Sequence, residues 1–348
     1  MVALGTVWNV DREFRIDRDW PGDDLCYRVT YCISTEGRLM TKVLVTGGGG
    51  YIGTTLVSLL LKKGYRVRVL DNLSHGGDQL IPFFREPNFE FQLGDVRNWR
   101  DVAQAVSRQD VIVHLAAIVG YPTCKKNPDA AKTTNIGGTI VLNQLRSKNQ
   151  LILFGSTSSV YGHTEEPVDE ACYVSPISLY AETKFRAENE LIQKDSAIIY
   201  RLAGGFGVSP RMRLDLLLND WVYQAVTKGK LTIYEPRFVR TFLHVHDIAR
   251  VFLFGIDNAS KMTGQIFNVG SDTMNLTKQE LSRKIQRRTA CHLIFTTDKS
   301  DADKRSYTVI YKKIAALGFH ARVTLEQGID EIIKAVPAIS KERNYTNQ

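Results

Sequence analysis

The sequence has 348 residues, of which 43% are hydrophobic and 24% are charged. These values are typical of a globular protein and exclude the collagen-like, coiled-coil and disordered classes. The formal net charge is +8, but Lys and Arg are scattered and alternate with acidic residues, so we expect no nucleic-acid partner.

The apolar runs and the cysteines indicate a cytoplasmic protein. No uninterrupted apolar run approaches about 18 residues, so we expect neither a membrane-spanning helix nor a membrane partner. The cysteines are odd in number, form no CxxC pair and have no neighbouring His cluster, which predicts reduced thiols and no metal site. They are Cys26, Cys32, Cys124, Cys172 and Cys291.

Residues 1–39 differ in charge from the rest of the chain. They contain five Arg and seven Asp or Glu, a net charge of −2, so the remainder carries +10. They have no apolar stretch suited to a secretory signal and are too acidic for a typical transit peptide. We interpret them as a poorly ordered N-terminal extension, or as the result of a start site placed too early, with the domain beginning at Met40. An extension that covers the active site is the alternative.

From Met40 onward, short β-branched runs alternate with helical patterns. Strands are predicted at 42–46, 66–70, 89–93, 111–115, 151–155 and 197–201. Helices are predicted at 51–62, 99–107, 133–148 and 178–194. This alternation implies right-handed βαβ crossovers and a parallel sheet covered on both faces.

After residue 203 the alternation loosens. Helices are predicted near 215–228, 247–258, 277–287 and 325–335, and the clearest strand between them is 266–269. We therefore predict an α/β fold, a doubly wound parallel (Rossmann) sheet with a smaller C-terminal substrate-binding lobe. The Rossmann domain would span 40–203, with contributions from about 240–270, and the lobe 204–340.

Three glycines lie in the turn between the first predicted strand and the first predicted helix. Gly47 would permit a tight turn, Gly50 would let the backbone approach a pyrophosphate, and Gly53 would let the helix pack closely on the strand. The pyrophosphate of a dinucleotide would bind at the helix N-terminus, where free N–H groups favour an anion. Gly48 and Gly49 are interpreted as spacers.

An acidic residue ends the second predicted strand. Asp71 follows Gly53 by eighteen residues, where a carboxylate can hold both hydroxyls of an adenosine ribose. The next residue is Asn72 rather than an Arg or Lys that could receive a 2′-phosphate. The cofactor is therefore predicted to be NAD rather than NADP; a glycine-rich turn without a ligand is the alternative.

Nine short motifs occur in a fixed order from residue 46 to residue 271. They are TGGxGxIG (46–53), DNLS (71–74), GDV (94–96), HLAA (114–117), NxxGT (135–139), STSSVYG (156–162), YAETK (180–184), RTFLHVHDIA (240–249) and FNVGS (267–271). With these motifs the sequence resembles the extended short-chain dehydrogenase/reductase family, in the branch of nucleotide-sugar epimerases, dehydratases and decarboxylases.

The resemblance implies site residues and a partner. The cofactor-binding residues would be Gly47, Gly50, Tyr51, Ile52, Gly53, Asp71, Asn72, Asp95, Val96, Leu115, Ala116, Ala117, Asn135, Tyr180 and Lys184. The catalytic residues would be Thr157, Tyr180 and Lys184. The substrate would be a nucleoside-diphosphate sugar, and the protein would be a homodimer that pairs through the helices near 99–107 and 133–148.

The predicted elements agree with this catalytic set. Thr157 follows a parallel strand, so it should lie at the carboxyl edge of the sheet, where such folds bind ligands. Tyr180 and Lys184 are four residues apart and share a helix face. The ammonium of Lys184 is expected to lower the pKa of Tyr180 from about 10, so that the phenol can act as a base. The alternative for Tyr180 and Lys184 is that they form an ordinary exposed helix face. The alternative for Thr157 is that its hydroxyl caps its own backbone, in which case Ser156 or Ser158 would supply the catalytic hydroxyl.

Arg240 matches the arginine that binds the nucleotide diphosphate in related sugar-nucleotide enzymes, and Arg305 is a second candidate for such a contact. Arg240 and Arg305 would bind the diphosphate of the substrate together with Thr157 at the sugar, since a guanidinium suits bidentate phosphate contacts. A solvated surface arginine is the alternative for each. Arg211 and Arg213 are further candidates without an assigned role.

The sequence also departs from the family pattern. Gly204 stands where the family usually has an Asn that contacts the substrate phosphate, and Val119 is apolar where the better-known 4-epimerases are often polar. Asn135 could cap the helix that follows it instead of, or in addition to, lying near the nicotinamide. The identity of the sugar therefore stays open.

The residues after Thr157 favour an epimerase. The 4,6-dehydratases of the family place an acidic residue there, whereas this chain has Ser158 and Ser159. A 4-epimerase needs no further acid or base, because its 4-keto intermediate only has to turn over before hydride returns. The alternatives are a dehydratase or a dehydrogenase/reductase that draws on His163, Cys124 or Glu165, and a noncatalytic NAD-binding or nucleic-acid-binding module.

Overall fold

The structure is a computed structural model that describes residues 40–194, 196–297, 304–339 and 345–347. The extension predicted at 1–39 lies outside these residues. The strands are β1 Lys42–Thr46, β2 Arg66–Asp71, β3 Phe89–Leu93, β4 Val111–His114, β5 Leu151–Thr157, β6 Ala197–Leu202, β7 Gly204–Phe206, β8 Lys230–Ile233, β9 Val239–His244, β10 Gln265–Val269, β11 Asn275–Thr277 and β12 His292–Phe295.

The helices alternate with the first six strands and continue beyond them. They are α1 Tyr51–Lys62, α2 Trp99–Val106, α3 Tyr121–Lys126, α4 Pro128–Lys132, α5 Gly138–Leu145, α6 Leu179–Ile192, α7 Leu217–Lys228, α8 Val245–Asp257, α9 Ala259–Met262, α10 Lys278–Thr289, α11 Lys312–Ala315 and α12 Leu325–Ala335. Among the described helices, none is both long and apolar enough to cross a membrane.

A seven-stranded parallel sheet forms the centre of the fold. Its strand order is β10-β6-β5-β4-β1-β2-β3. The chain moves outward from β1 in one direction through β2 and β3, and in the other through β4, β5 and β6. The order therefore reverses between β1 and β4, and the carboxyl ends of these two strands open the crevice in which such sheets bind ligands. The predicted doubly wound fold is confirmed.

Helices cover both faces of the sheet because its strands are apolar on both sides. On one face, Leu56 and Leu60 of α1 and Phe252 of α8 pack against Val43 and Val45 of β1. On the other face, α2, α5 and α6 pack against the alternate strand residues, Leu44 and Ile112 among them. The residues of strand β4, Val111–His114, are all buried, as expected of a central parallel strand.

A second core lies beyond residue 204. There β11, β9 and β7 form a three-stranded sheet and β12 pairs with β8, while α7, α10 and α12 enclose a cluster that includes Phe206, Leu218, Leu281 and Ile329. Strand β10 returns to the edge of the large sheet beside β6. The division of the chain at residue 203 remains a prediction.

Most predicted elements match the observed bounds within two residues, but the helix predicted over 133–148 differs in its first turn and ends three residues early. Residues Thr133–Gly137 form a π-helical turn, and α5 covers only Gly138–Leu145. A π turn inserts one residue into the helical repeat. A periodicity of 3.6 residues cannot reveal this insertion.

Candidate active site

One cavity of about 710 Å³ lies at the carboxyl ends of the parallel strands and extends to β7 and β9. Every predicted site residue except Asn135 contributes to its wall. The fold therefore brings the predicted cofactor, catalytic and substrate residues to one chamber.

The glycine turn is packed too closely to accept side chains at two of its positions. Gly47 has a φ of 72°, and a Cβ there would lie 2.7 Å from the backbone nitrogen of Ala116. A Cβ on Gly53 would lie 2.3 Å from the carbonyl oxygen of Gly47. The absence of side chains at these two glycines lets the start of α1 pack closely against the ends of β1 and β4.

Gly49 is more than a spacer, which corrects the sequence interpretation. Its N–H donates to Oδ2 of Asp71 at 2.8 Å, and the N–H of Leu73 donates to Oδ1 of the same carboxylate at 2.8 Å. Gly48 packs against the side chain of Val69. Asp71 thus ties the glycine turn to the end of β2.

The N-terminus of α1 fits an anionic group. Gly50 is its N-cap and, among the described residues, no side chain caps the helix and no acidic residue lies in its first turn. Tyr51 and Ile52 begin the helix at the cavity wall, and the N–H groups of a first helical turn lack partners within the helix. This arrangement suits the pyrophosphate of a dinucleotide.

The far end of the cavity holds residues predicted to surround the adenosine. Burial raises the pKa of Asp71, although the N–H groups of Leu73 and Gly49 act in the opposite direction. Hydrogen bonding from Arg97 lowers the pKa of Asp95, and Asn72 donates to the Asp95 carboxylate at 3.4 Å. Val96 is buried and lies in the cavity wall.

Leu115, Ala116 and Ala117 follow β4 and line the middle of the cavity. Thr46, at the end of β1, holds them in place. Its carbonyl oxygen accepts from the N–H of Leu115 at 3.1 Å, and its hydroxyl accepts from the N–H of Ala116 at 3.3 Å.

Asn135 is buried behind the cavity wall. Its side chain accepts from the N–H of Ile118 at 2.8 Å and donates to the carbonyl of Ile118 at 3.0 Å and to the hydroxyl of Thr183 at 2.9 Å. It lies inside the π-helical turn, so the alternative in which it caps the following helix is wrong. Asn135 instead links the loop after β4 to α6.

Thr157 ends β5 and its hydroxyl makes local contacts. It accepts from the N–H of Ser159 at 3.1 Å and donates to the Ser159 hydroxyl at 2.9 Å, so the local capping considered from the sequence is present. The same hydroxyl lies close enough to Tyr180 to lower its pKa by hydrogen bonding. The neighbouring serines have other partners, because Ser156 donates to Glu188 and Ser158 contacts the hydroxyl of Tyr307 at 3.2 Å.

Tyr180 is half-buried in the cavity wall, and its pKa is raised to about 12. Burial is the main cause, and Cys124 acts in the same direction. The positive charges of Arg213 and Arg305 act to lower it. The prediction that Lys184 lowers the pKa of Tyr180 is therefore wrong for this structure, since desolvation outweighs the nearby cations and those cations are arginines.

Lys184 is buried on the same face of α6. Its Nζ lies 3.9 Å from the centre of the Phe154 ring, and burial lowers its pKa to about 7. The carboxylate of Glu188, one turn further along, acts to raise it. Glu188 is itself buried and pairs with Arg201 at 2.9 Å. The exposed-face alternative for Tyr180 and Lys184 is wrong.

Four arginines line the substrate side of the cavity. They are Arg211, Arg213, Arg240 and Arg305. Arg305 is half-buried and the other three are buried, so the surface alternative is wrong. Arg240 donates to the carbonyl of Arg305, and Arg305 donates to the hydroxyl of Ser159.

Arg211 and Arg213 come from the loop between β7 and α7. Arg213 pairs with Asp215 at 2.6 Å, whereas Arg211 donates to the carbonyls of Met212 at 2.8 Å and of Thr346 at 3.2 Å. Burial and the charge of Arg213 lower the pKa of Arg211. Burial and both guanidinium groups also lower the pKa of His75, across the cavity.

The alternative acids and bases lie away from the reaction zone or are unreactive. His163 and Glu165 are exposed and do not line the cavity. Cys124 is buried, donates to the carbonyl of Ile118 at 3.4 Å and has a pKa raised to about 11 by burial. Among the described residues, no cluster of three or more His, Cys, Asp or Glu side chains could hold a metal.

The cavity wall also contains residues that sequence reasoning did not assign to the site, His75, Tyr307 and Asn347 among them. Tyr307 and Asn347 lie outside the nine motifs, and only the fold brings them to the cavity. Gly204 and Val119, the two positions at which the sequence departs from the family pattern, also line the cavity. Gly204 begins β7 and pairs with Phe242 of β9.

Comparison with known proteins shows the family of the chain. The sequence model of the family "NAD dependent epimerase/dehydratase family" matches residues 43–270. CDP-paratose 2-epimerase of Salmonella typhi is 28% identical over 84% of this chain and 98% of that protein. UDP-glucuronic acid decarboxylase 1 of Arabidopsis thaliana is 28% identical over 85% of this chain and 70% of that protein.

A solved structure shares the fold. The UDP-glucuronic acid 4-epimerase of Bacillus cereus, in complex with UDP-glucuronic acid and NAD, superposes with a TM-score of 0.76 at 24% identity, covering 86% of this chain and 99% of that one. The family match extends over most of the nine motifs and the cavity that they form. The chain belongs to the NAD-dependent epimerase/dehydratase family and is an enzyme that uses NAD.

Proposed function

We propose that the chain is a nucleoside-diphosphate-sugar epimerase that acts at C4 through a 4-keto intermediate. One observation carries the proposal. Ser158 and Ser159 follow Thr157, and their hydroxyls contact Tyr307 and Arg305. Serine hydroxyls cannot act as the strong acid and base that loss of water requires at neutral pH.

The acidic residues of the cavity support this choice. Among the described lining residues they are Asp71, Asp95, Asp215 and Asp220. Asp71 and Asp95 belong to the cofactor end, Asp215 pairs with Arg213, and Asp220 accepts from Gln224 at 2.6 Å. A carboxylate beside Thr157, as a 4,6-dehydratase would need, is not among them.

The chemistry that NAD would supply, when bound, is hydride transfer from the sugar and back to it. The cofactor-binding residues assigned from the sequence would hold it, with the pyrophosphate at the N-terminus of α1 and the adenosine ribose at Asp71. Tyr180 would remove the proton of the sugar hydroxyl and give it back. Thr157 would hold that hydroxyl by hydrogen bonding, and Lys184 would orient the dinucleotide.

The charge of the cavity favours the ionised form of Tyr180 at the moment of proton removal. Arg213 and Arg305 already act to lower the pKa of Tyr180, while burial opposes them. The positive charge that an oxidised dinucleotide would bring to the cavity would add to the effect of the arginines. Tyr180 can then work as a base closer to neutral pH than its pKa of about 12 allows by itself.

The arginines support a diphosphate substrate. Arg240 and Arg305 lie side by side, joined through a backbone carbonyl, and Arg211 and Arg213 lie in the same cavity wall. Guanidinium groups bind phosphate oxygens in bidentate fashion. We assign the diphosphate to Arg240 and Arg305, with Thr157 at the sugar.

A second candidate function is decarboxylation of a nucleotide-linked uronic acid. Arg213 and Arg305 lie within electrostatic reach of Tyr180, so they could hold a sugar carboxylate. The relative in Arabidopsis thaliana carries the name of such a decarboxylase. The relative in Salmonella typhi is named as a 2-epimerase, which makes C2 the alternative stereocentre.

The test is incubation with UDP-, GDP-, CDP- and dTDP-hexoses and with UDP-glucuronic acid, followed by mass spectrometry and NMR of the products. An epimerase yields an isomer of unchanged mass, inverted at C4, without accumulation of NADH. A product lighter by one water contradicts the proposal in favour of a dehydratase. Loss of carbon dioxide indicates the decarboxylase. Inversion at C2 instead of C4 indicates a 2-epimerase, and stoichiometric accumulation of NADH indicates a dehydrogenase.

Two further proposals concern the state of the protein in the cell. We propose a reducing, cytoplasmic compartment, which is supported by the free thiols of Cys124, Cys172 and Cys291.

We also propose a homodimer, on the resemblance to the family. Light scattering after gel filtration tests it, and a single-chain mass contradicts it.

A further inference from the structure

The segment 345–347, defined as Tyr345, Thr346 and Asn347, lies against the substrate side of the cavity. The carbonyl of Tyr345 accepts from the N–H of Leu214 at 2.8 Å. The carbonyl of Thr346 accepts from Arg211 at 3.2 Å. The segment is thus attached by its backbone to the loop between β7 and α7.

Asn347 extends this attachment to the opposite wall. Its carbonyl accepts from the hydroxyl of Thr123, in α3, at 2.9 Å, and its N–H donates to the carboxylate of Asp215. Thr123 belongs to the half of the chain that carries the dinucleotide site, and Asp215 to the half that carries the arginines. The backbone of Asn347 therefore bridges the two sides of the cavity.

The side chain of Asn347 lines the cavity. Its Oδ1 is shielded from solvent and, among the described residues, has no hydrogen-bond partner. A buried carbonyl oxygen without a partner is energetically unfavourable, and native structures rarely retain one without a reason. In a cavity that binds a polyol, a ligand hydroxyl is a suitable donor.

The neighbours of Asn347 place it at the sugar rather than at the nucleotide base. Thr123 precedes Cys124, whose thiol lies within electrostatic range of both Tyr180 and Lys184. On the other side, Asp215 pairs with Arg213, which also acts on Tyr180. Both anchors of Asn347 thus adjoin residues around the reacting hydroxyl.

We propose that the segment 345–347 is part of the substrate site and that Oδ1 of Asn347 accepts a hydrogen bond from a hydroxyl of the sugar. Asn347 is then a specificity-determining residue, because it discriminates sugars by the presence and direction of that hydroxyl. This inference rests on the proposed function, since it requires a nucleoside-diphosphate sugar in the cavity.

The test measures binding of two kinds of probe by calorimetry to the NAD-loaded protein. The probes are the glucose conjugates of UDP, GDP, CDP and dTDP, and the corresponding diphosphates without sugar. The conjugate that binds the wild type most tightly is compared with its own diphosphate. The variants are Asn347→Ala and, as a matched control, Asn127→Ala, which removes an exposed asparagine without a side-chain capping bond.

We expect Asn347→Ala to weaken binding of the conjugate by about 3- to 10-fold, the effect of one hydrogen bond. Binding of the sugar-free diphosphate should change by less than about 2-fold. Asn127→Ala should match the wild type with both probes. A chain lacking residues 345–348 should lose at least as much affinity for the conjugate as Asn347→Ala, with its folding checked by thermal melting.

Two results would overturn the inference while leaving the proposed function intact. In the first, Asn347→Ala binds the conjugate as tightly as the wild type. In the second, conjugate and diphosphate lose the same affinity, which would assign the segment to the nucleotide. If the wild type binds none of the conjugates, the proposed function fails and the inference fails with it.

Discussion

The ammonium nitrogen of Lys184 lies 3.9 Å from the centre of the Phe154 ring, inside the core between β5 and α6. An aromatic face attracts a cation through its quadrupole, and the attraction grows where water is excluded. Burial nevertheless lowers the pKa of Lys184 to about 7. Lys184 is therefore expected to change its protonation state near neutral pH.

The first prediction concerns this change of protonation. Phe154→Leu removes the aromatic face, so the pKa of Lys184 should fall by about one unit, the equivalent of roughly 1.4 kcal/mol of lost attraction. If the protonated lysine is the active form, the alkaline limb of the profile of kcat/KM against pH moves to lower pH by the same amount. Phe84→Leu, at an exposed ring, is the control. An unmoved alkaline limb contradicts the prediction.

Lys184→Met should stabilise the protein while abolishing its activity. Because the folded pKa is lowered from 10.5 to about 7, the unfolded chain binds more protons between these values, and burial of the lysine opposes folding there. We expect a gain in the free energy of unfolding of about 1–3 kcal/mol at pH 7. The gain should shrink as the pH rises toward 10.5.

Urea denaturation of Lys184→Met at pH 7 and pH 10 measures this effect. Lys62→Met, at an exposed position of α1, should change stability at neither pH. A gain that is larger at pH 10 than at pH 7 would show that the buried charge is not its cause.

Tyr180→Phe should lower kcat by about 10²–10⁴-fold, the usual contribution of a general base, without loss of NAD. The ring that fills the cavity wall is kept and only the hydroxyl is lost. Turnover is measured on the substrate found in the sugar-nucleotide panel, and NAD by chromatography after denaturation. Tyr173→Phe, at a side chain that is 87% exposed, should match the wild type. Activity within threefold of the wild type would remove Tyr180 from the mechanism.

Two glutamates of α6 should differ sharply in their contribution to stability. Glu188 pairs with Arg201 at 2.9 Å in the core, so Glu188→Gln leaves a buried charge without its partner and should lower the free energy of unfolding by about 3–5 kcal/mol. Glu182 pairs with Arg186 at 2.6 Å on the surface, and Glu182→Gln should cost less than about 0.5 kcal/mol. Equal effects in denaturant titrations would contradict this ranking.

Local sequence patterns predicted some elements well for a physical reason. Helix α1 and strand β3 match their predicted bounds because apolar periodicity and the residues next to it determine where they begin and end. Strands β8 and β12 were missed, since each is stabilised by pairing with a partner about sixty residues away. The π-helical turn was missed for a similar reason, because Asn135 bonds with Ile118 and Thr183, which are distant in sequence.

Some residues of the candidate site could likewise be predicted from local sequence, and others could not. The glycine turn and Asp71 form one continuous unit, so short motifs were enough to predict where they lie. Arg211 and Asn347 reach the cavity only through the packing of the second core, which no short motif encodes. Spacing placed Tyr180 and Lys184 on one face, but it could not reveal how strongly burial would act on both pKa values.

The crowding of the glycine turn limits how this enzyme could be re-engineered. A methyl group on Gly47 or Gly53 would collide with main-chain atoms, so a designer who wants NADP in place of NAD has almost no freedom in the loop itself. On the proposed placement of the adenosine ribose, the changes would be made at Asp71 and Asn72. Asp71 also accepts a hydrogen bond from the N–H of Gly49 in this loop. A substitution of Asp71 that alters the coenzyme preference would therefore also loosen the loop and weaken binding of the pyrophosphate of either coenzyme.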